Sequence, residues 1–229
     1  MSSRRGSNSK LGAPVQNYYK MTEKKTYHNP NYAQHLIEAN FRMLVVASSG
    51  GGKTMFLCEL IHRMSGTFEE IVICLRSKAE PLYELLEKKG KGLIKFYENS
   101  VPDINEFKTG ETRLIVFDDL ILDKKLLTQI GEYFVRSRKY NMSVAFLSQS
   151  FYGIPKLIRL NANYIVLKKI GSERDIKAII RDYSLDMPIE QLMRLYRACT
   201  KEKTNFLMID LNNDDYKYRY NFQPINIDE

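Results

Sequence analysis

The sequence predicts an α/β protein with a mostly parallel sheet flanked by helices and an antiparallel hairpin at its carboxyl-terminal end. From residue 41 onward, short apolar runs alternate with amphipathic segments. The runs are continuously apolar, as in strands that are covered on both faces of a parallel sheet. The five predicted strands of this kind are 41–48, 70–77, 112–120, 142–149 and 163–169.

Three helices are predicted from apolar residues that recur three and four positions apart. Ser172 and Asp175 suit the N-cap and the first-turn acid of the second helix. Because the stripes have the spacing of a buried helix face, we interpret them as core residues. The stripes are Leu57, Leu60, Ile61 and Met64; Ile176, Ile179, Ile180 and Tyr183; and Ile189, Leu192, Met193 and Tyr196.

The chain ends in a different pattern. Residues 205–211 and 216–222 alternate in polarity around an Asn-Asn-Asp-Asp turn. Such alternation predicts an antiparallel hairpin at the edge of the sheet. With no internal repeat, the sequence indicates one domain at residues 31–229, preceded by a flexible arm at residues 1–30.

The arm is the most basic part of the chain. Residues 1–30 hold six basic residues and one acidic residue, a charge of +5 that leaves +3 of the net +8 for the rest. A basic arm attracts polyanions by Coulomb steering and counterion release. A solvated terminus, a nucleic-acid contact and an acidic protein partner all remain compatible with this composition.

Several classes of site are excluded by composition. Cys58, Cys74 and Cys199 lie far apart, so neither a disulfide framework nor a zinc site is expected, and a reducing compartment fits best. The three histidines form no ligand cluster. The amino terminus has no apolar signal region and no stretch approaches about 18 apolar residues, so we expect an intracellular protein without a membrane span.

A phosphate-binding loop is predicted where the first strand ends. Three glycines let the backbone approach an anion closely, and the following helix offers its free N–H groups. Lys53 would reach the β- and γ-phosphates of ATP, and the Thr54 hydroxyl would ligate Mg²⁺. The usual first glycine of the motif is Ala47 here, and an ordinary glycine-rich turn is the alternative. The predicted nucleotide-binding residues are Ser48, Ser49, Gly50, Gly51, Gly52, Lys53, Thr54 and Met55.

Two acids and an amide are expected beside this loop. Asp118 and Asp119 end a very apolar strand, and Gln149 ends the next one. Because the carboxyl ends of parallel strands meet at one edge, Asp118 would bind Mg²⁺ and Asp119 would orient and deprotonate the attacking water. Gln149 would sense the γ-phosphate. An ordinary turn or helix cap for the acids, and an exposed loop position for the amide, are the alternatives.

Arg136 and Arg138 are the remaining predicted catalytic residues. They follow a helical segment, where cations also complement the helix dipole. The stretch 136–174 holds eight basic residues and one acid. A basic band beside an ATP site suits an arginine finger for a neighbouring subunit or a contact to a phosphate backbone, and we favour Arg138 as the finger.

Residues 41–169 resemble a known family. The segments ASSGGGKT, LIVFDDL and SVAFLSQS, followed by IPKLIRLNA, are similar to the DNA-packaging ATPases of large nucleo-cytoplasmic DNA viruses and virophages. These are poxvirus-type members of the FtsK–HerA superfamily of P-loop proteins. The resemblance supports the roles given above to Lys53, Thr54, the acidic pair and Gln149.

The same resemblance implies a RecA-like P-loop ATPase domain that forms a homo-oligomeric ring and drives double-stranded DNA into a preformed capsid. A capsid or portal protein is then an expected partner. The host cytoplasm or a viral factory is the expected location, with association with the virion as a further possibility. DNA contacts should go to phosphates, because packaging must ignore base sequence.

Two other functional classes remain compatible with the sequence. One is a P-loop ATPase of another kind acting on nucleic acid, such as a helicase or a transposition ATPase. Phe151 and Tyr152 would then be candidates for stacking on single-stranded bases. The other is a non-catalytic scaffold that binds nucleotide and DNA without turning over ATP.

Overall fold

In the part of the chain that the structure describes, the sheet has nine strands and is parallel over two thirds of its width. A computed structural model describes Gln16, Tyr18, residues 27–184 and residues 187–225. Of the predicted basic arm, residues 1–30, the structure describes Gln16, Tyr18 and residues 27–30. The remaining residues of the arm lie outside the described part of the chain. The strands are β1 (Arg42–Val46), β2 (Glu70–Leu75), β3 (Ile94–Glu98), β4 (Arg113–Asp118), β5 (Met142–Ser148), β6 (Tyr164–Leu167), β7 (Leu207–Asp210), β8 (Tyr218–Tyr220) and β9 (Gln223–Pro224).

The spatial order of the strands is β3-β2-β4-β5-β1-β6-β7-β8-β9. All pairs from β3 to β6 are parallel, and β7, β8 and β9 extend the sheet in antiparallel fashion. The predicted α/β class, the parallel core and the terminal hairpin are therefore confirmed. The strand β9 lengthens that hairpin beyond the prediction.

The described part of the chain has seven α-helices, six of which lie between strands. Ser172 caps α6 through the amide of Asp175, as predicted, and Asp123 caps α4 through the amides of Lys125 and Leu126. The helices are α1 (Tyr32–His35), α2 (Lys53–Arg63), α3 (Pro81–Gly90), α4 (Lys124–Arg136), α5 (Lys156–Asn161), α6 (Glu173–Tyr183) and α7 (Ile189–Cys199). A 3₁₀ helix, Ser137–Tyr140, follows α4.

The core forms two layers, one on each face of the sheet. In β1, Leu44 and Val46 pack into one layer, and Met43 and Val45 pack into the other. All four side chains are buried. This two-sided burial is the physical reason for the continuous apolar runs in the sequence.

The strand order brings three strand ends together. β5 lies between β1 and β4, with Val46 opposite Ser148 and Asp118 opposite Leu147. All three strands point the same way, so the turn after β1, the acids at the end of β4 and Gln149 after β5 share one edge of the sheet.

Candidate nucleotide-binding site

The turn between β1 and α2 has the backbone shape of an anion-binding loop. Gly52 is the N-cap of α2 in the left-handed region, with φ of 80°, and no side chain caps this helix. The first amides of α2 are thus left for a ligand. A side chain on Gly51 would put its Cβ 2.8 Å from the carbonyl oxygen of Ser48, so this position requires glycine.

Alanine fits at position 47, where the phosphate-loop motif usually has its first glycine. Its side chain is fully buried, and its Cβ lies 3.0 Å from the point where a Cβ on Gly51 would stand. Gly51 has no side chain, so there is space on the inner side of the turn. The methyl group of Ala47 occupies this space. Ser48 ties the turn to the loop after β6, because its hydroxyl oxygen accepts from Gly171 N at 2.8 Å.

A buried lysine supports the loop from behind. Lys168 is fully buried, and its Cε lies 3.1 Å from the place of a Cβ on Gly52. Its Nζ donates to the carbonyl oxygen of Thr204 at 3.0 Å. Burial lowers the pKa of Lys168 to about 8. Its place against the loop was not predicted, because a lysine after an apolar strand is usually exposed.

Lys53, Asp119 and Gln149 meet at the shared sheet edge. Gln149 Nε2 donates to Asp119 Oδ2 at 2.5 Å, and Lys53 Nζ lies 3.5 Å from the same oxygen. Asp119 has a φ of 53°, and its amide donates to Leu147 O at 3.0 Å. The left-handed turn at Asp119 thus directs its carboxylate across the end of β5 towards the phosphate loop.

Asp118 and Thr54 each contact helix α3. The hydroxyl of Tyr83 donates to Asp118 Oδ2. Thr54 Oγ1 donates to Glu80 Oε2 at 2.8 Å. Burial raises the pKa of Asp118 to about 6 and also raises that of Tyr83, which keeps the tyrosine protonated as a donor.

The residues present fit Mg²⁺ bound together with a nucleotide. Asp118 Oδ1 is buried and has no hydrogen-bond partner among the described residues, so one carboxylate oxygen is left for a cation. No group of three acidic, histidine or cysteine side chains in the described part of the chain could hold a metal. Mg²⁺ sites that use one carboxylate, a hydroxyl, water and substrate phosphates have this sparse character.

A cavity of about 490 Å³ opens in front of the acids. Its wall includes both aspartates and Gln149, and the exposed Arg76 stands at its rim. The other lining residues are Leu75, Ser77, Glu80, Tyr83, Ile121 and Leu122. A polar ligand placed here would contact Asp118, Asp119 and Gln149 directly.

Arg136 and Arg138 lie at the opposite edge of the sheet. Both precede β5, whose six residue steps span about 20 Å, so the expectation of a basic band beside the ATP site does not hold for these two arginines within one chain. Arg136 donates to Asn105 Oδ1 at 2.7 Å and to the Tyr140 hydroxyl at 2.9 Å.

Arg138 is exposed and makes no hydrogen bond or ion pair with any residue the structure describes. Burial lowers the pKa of Arg42 at the start of β1, and the nearby charge of Arg138 lowers it further. The guanidinium of Arg138 therefore faces solvent at the amino ends of the strands.

The structure thus unites most of the predicted site. The loop residues, both aspartates and Gln149 share one edge, with Lys53 and Thr54 buried and Met55 44% exposed on the first turn of α2. Glu80 and Tyr83 were not predicted. The only sequence signal for them is Pro81, which favours a helix start just after Glu80.

The sequence of the chain is similar to that of a known protein family. The sequence profile described as "Poxvirus A32 protein" matches residues 30–86 and 72–215. None of the curated proteins compared with the chain matches it significantly.

No helix among the described residues has the length and apolar character to cross a membrane.

Solved structures share the fold at low sequence identity. The genome-packaging NTPase B204 of Sulfolobus turreted icosahedral virus 2, in complex with AMP, has a TM-score of 0.59 at 13% identity, covering 83% of this chain and all (100%) of that chain. EssC (ATPases 2 and 3) from Geobacillus thermodenitrificans has a TM-score of 0.56 at 11% identity, covering 83% of this chain and 41% of that one.

The Type VII secretion ATPase EccC of Thermomonospora curvata has a TM-score of 0.55 at 11% identity, covering 83% of this chain and 26% of that one. These likenesses establish the P-loop NTPase fold. Because the profile match extends over most of the sequence, from residue 30 to residue 215, the chain belongs to the family of the poxvirus A32 protein.

Proposed function

We propose that the protein is the ATP-hydrolysing subunit of a ring motor that translocates double-stranded DNA into a viral capsid. The observation that carries the proposal is the meeting of Lys53 and Gln149 on one oxygen of Asp119, next to an uncapped glycine turn. Membership of the poxvirus A32 protein family supports the assignment to genome packaging.

Each residue of the site has a role in this proposal. The amides from Ser48 to Met55 cradle the phosphates, and Lys53 places its charge on the β- and γ-phosphates. Thr54 and Asp118 hold Mg²⁺, which when bound neutralises charge on the phosphate oxygens.

Asp119 orients the attacking water and takes its proton. Gln149 contacts Asp119 at 2.5 Å, so its amide is placed to exchange that bond for one to the γ-phosphate. In this way Gln149 would report the presence of ATP to β5 and to the elements that follow it.

A homo-oligomeric ring accounts for the position of the arginines. Arg138 lies about 20 Å from the site of its own chain, beyond the reach of a side chain. In a ring, the solvent-facing guanidinium would instead complete the site of the neighbouring subunit as an arginine finger. Arg136 is held by Asn105 and Tyr140, and would orient the segment that carries Arg138.

The remaining partners follow from the same proposal. Contacts to DNA go to phosphates and do not depend on base sequence, and the basic arm at residues 1–30 adds charge to them. A capsid or portal protein anchors the ring, in the host cytoplasm or viral factory or on the virion.

A triplex-displacement assay tests the proposal. The wild-type protein with ATP and Mg²⁺ should strip a third strand from duplex DNA of any sequence, and the ATPase rate should rise with duplex DNA more than with single strands. Raising the salt concentration should weaken the stimulation steeply. Stimulation by single strands alone would contradict the motor and favour a helicase, and no turnover at all would favour a scaffold.

A further inference from the structure

The Thr54 hydroxyl already has a defined hydrogen-bond acceptor. A threonine hydroxyl offers one proton and two lone pairs. In this chain the proton goes to Glu80 Oε2 at 2.8 Å. That bond fixes the rotation of the hydroxyl and leaves the lone pairs on Thr54 Oγ1 for a cation. Glu80 therefore determines where the oxygen of Thr54 can ligate.

Asp118 is oriented in the same manner. The Tyr83 hydroxyl donates to Asp118 Oδ2, while Asp118 Oδ1 is buried without a partner among the described residues. One oxygen is thus engaged by the protein, and the other is left without a partner on a residue that lines the cavity. A buried, unsatisfied carboxylate oxygen is costly unless a ligand completes it.

Both partners come from the first turn of one helix. Glu80 is the N-cap of α3 and Tyr83 lies three positions later, so the two side chains stand one above the other on the same helix face. Tyr83 is 1% exposed, and its ring packs edge-on against Phe96 of β3 at 5.9 Å. The position of α3 is therefore fixed by packing against the sheet.

We propose that Glu80 and Tyr83 are positioning residues that orient Thr54 and Asp118 for the Mg²⁺ ion of the bound nucleotide. The inference rests on the proposed function, since it assigns the support of the same metal site. Removing a residue that hydrogen-bonds to a metal ligand commonly lowers the affinity of the site for the metal by roughly 10- to 100-fold. The start of α3 would accordingly set how much Mg²⁺ adds to nucleotide affinity.

The test compares nucleotide affinity with and without Mg²⁺. Binding of the non-hydrolysable analogue AMPPNP is measured by titration calorimetry in excess Mg²⁺ and in EDTA, and the ratio of the two affinities is the Mg²⁺ gain. Tyr83→Phe and Glu80→Ala should each reduce this gain by roughly 10- to 100-fold, with the affinity in EDTA unchanged. Glu80→Gln keeps an acceptor oxygen for Thr54 and should lose less than Glu80→Ala.

A matched control lies on the same helix. Glu84 is exposed one turn after Glu80, and Glu84→Gln makes the same change of charge without touching either ligand. This control should keep the full Mg²⁺ gain. Tyr83→Phe retains the packing against Phe96, and the exposed position of Glu80 makes its variants independent of core stability.

Three results would overturn the inference. The first is an unchanged Mg²⁺ gain in both Tyr83→Phe and Glu80→Ala, and the second is an equal loss of affinity in Mg²⁺ and in EDTA. The third is a Glu80→Gln variant with the full gain and turnover more than about a hundredfold slower, which would place Glu80 on the water instead. A wild-type protein that binds no nucleotide would overturn the proposed function together with the inference, whereas the first two results leave the proposed function intact.

Discussion

Replacement of Asp119 by Asn separates the chemistry of this residue from its place in the fold. Asp119 Oδ2 accepts from Gln149 at 2.5 Å and lies 3.5 Å from Lys53 Nζ. Its backbone is left-handed, with φ of 53°, a conformation that Asn adopts as readily as Asp. Asp119→Asn therefore removes the charge and the proton acceptor, and it leaves the turn at the end of β4 unchanged.

The expected loss follows from the role of a general base. A positioned base contributes about 10²- to 10⁴-fold to turnover, so phosphate release should slow by that factor. The affinity for ATP should not fall, because the removed carboxylate is a negative charge that faces the triphosphate. Steady-state phosphate release and equilibrium nucleotide binding measure the two effects separately.

Two variants serve as controls for Asp119→Asn. Asp119→Ala should lower the free energy of unfolding by about 1 to 2 kcal/mol, because alanine is strained in the left-handed region. Asp214→Asn makes the same chemical change at an exposed position in the turn between β7 and β8, and should leave turnover unchanged. Normal turnover in Asp119→Asn would refute the assignment of Asp119 to the attacking water.

Three further predictions concern the finger and the fold. Arg138→Ala should lower turnover roughly a thousandfold without loss of ATP affinity, and mixing it with Lys53→Ala subunits should restore activity; no rescue would argue against action in trans. The buried His35 has its pKa lowered from 6.5 to about 4, mainly by burial. As pH falls, the unfolded chain therefore binds a proton at this histidine before the folded chain does. Between about pH 7.5 and pH 5 the free energy of unfolding, measured with urea, should fall by about 2 kcal/mol because of this residue. His35→Gln should remove that part of the pH dependence, and an unchanged pH dependence would contradict the prediction. The buried Arg219 lies 2.5 Å from the carboxylate of Asp210. Asp210→Ala removes this carboxylate partner and should lower the free energy of unfolding by about 3–5 kcal/mol. A loss below about 1 kcal/mol would show that the ion pair is dispensable.

The sequence could predict those parts of the fold and site that are encoded locally. The loop at 48–54 and the acids 118 and 119 occupy consecutive positions, and each follows a strand buried on both faces. β3 was missed because its five residues are only half-buried at the sheet edge, without a continuous apolar run. Helices α3 and α5 were given no bounds from the sequence either, and α4 was expected only as a helical segment before Arg136.

Other features depend on contacts between distant segments. Glu80 lies 26 residues from Thr54, and Tyr83 lies 35 residues from Asp118. No local motif encodes either pair, since they meet only when α3 packs beside the phosphate loop. The position of Arg138 depends similarly on the direction of β5, which separates this residue from the site of its own chain by the length of a strand.

The central claim is that the turn between β1 and α2 holds the triphosphate. Titration calorimetry of the wild-type protein and of Lys53→Ala with ATPγS in Mg²⁺ tests this claim most directly. The account predicts one nucleotide per wild-type chain and an affinity at least roughly tenfold lower in Lys53→Ala, because a charge-assisted bond to phosphate is lost. Equal affinities, or a wild-type protein that binds no nucleotide, would contradict it.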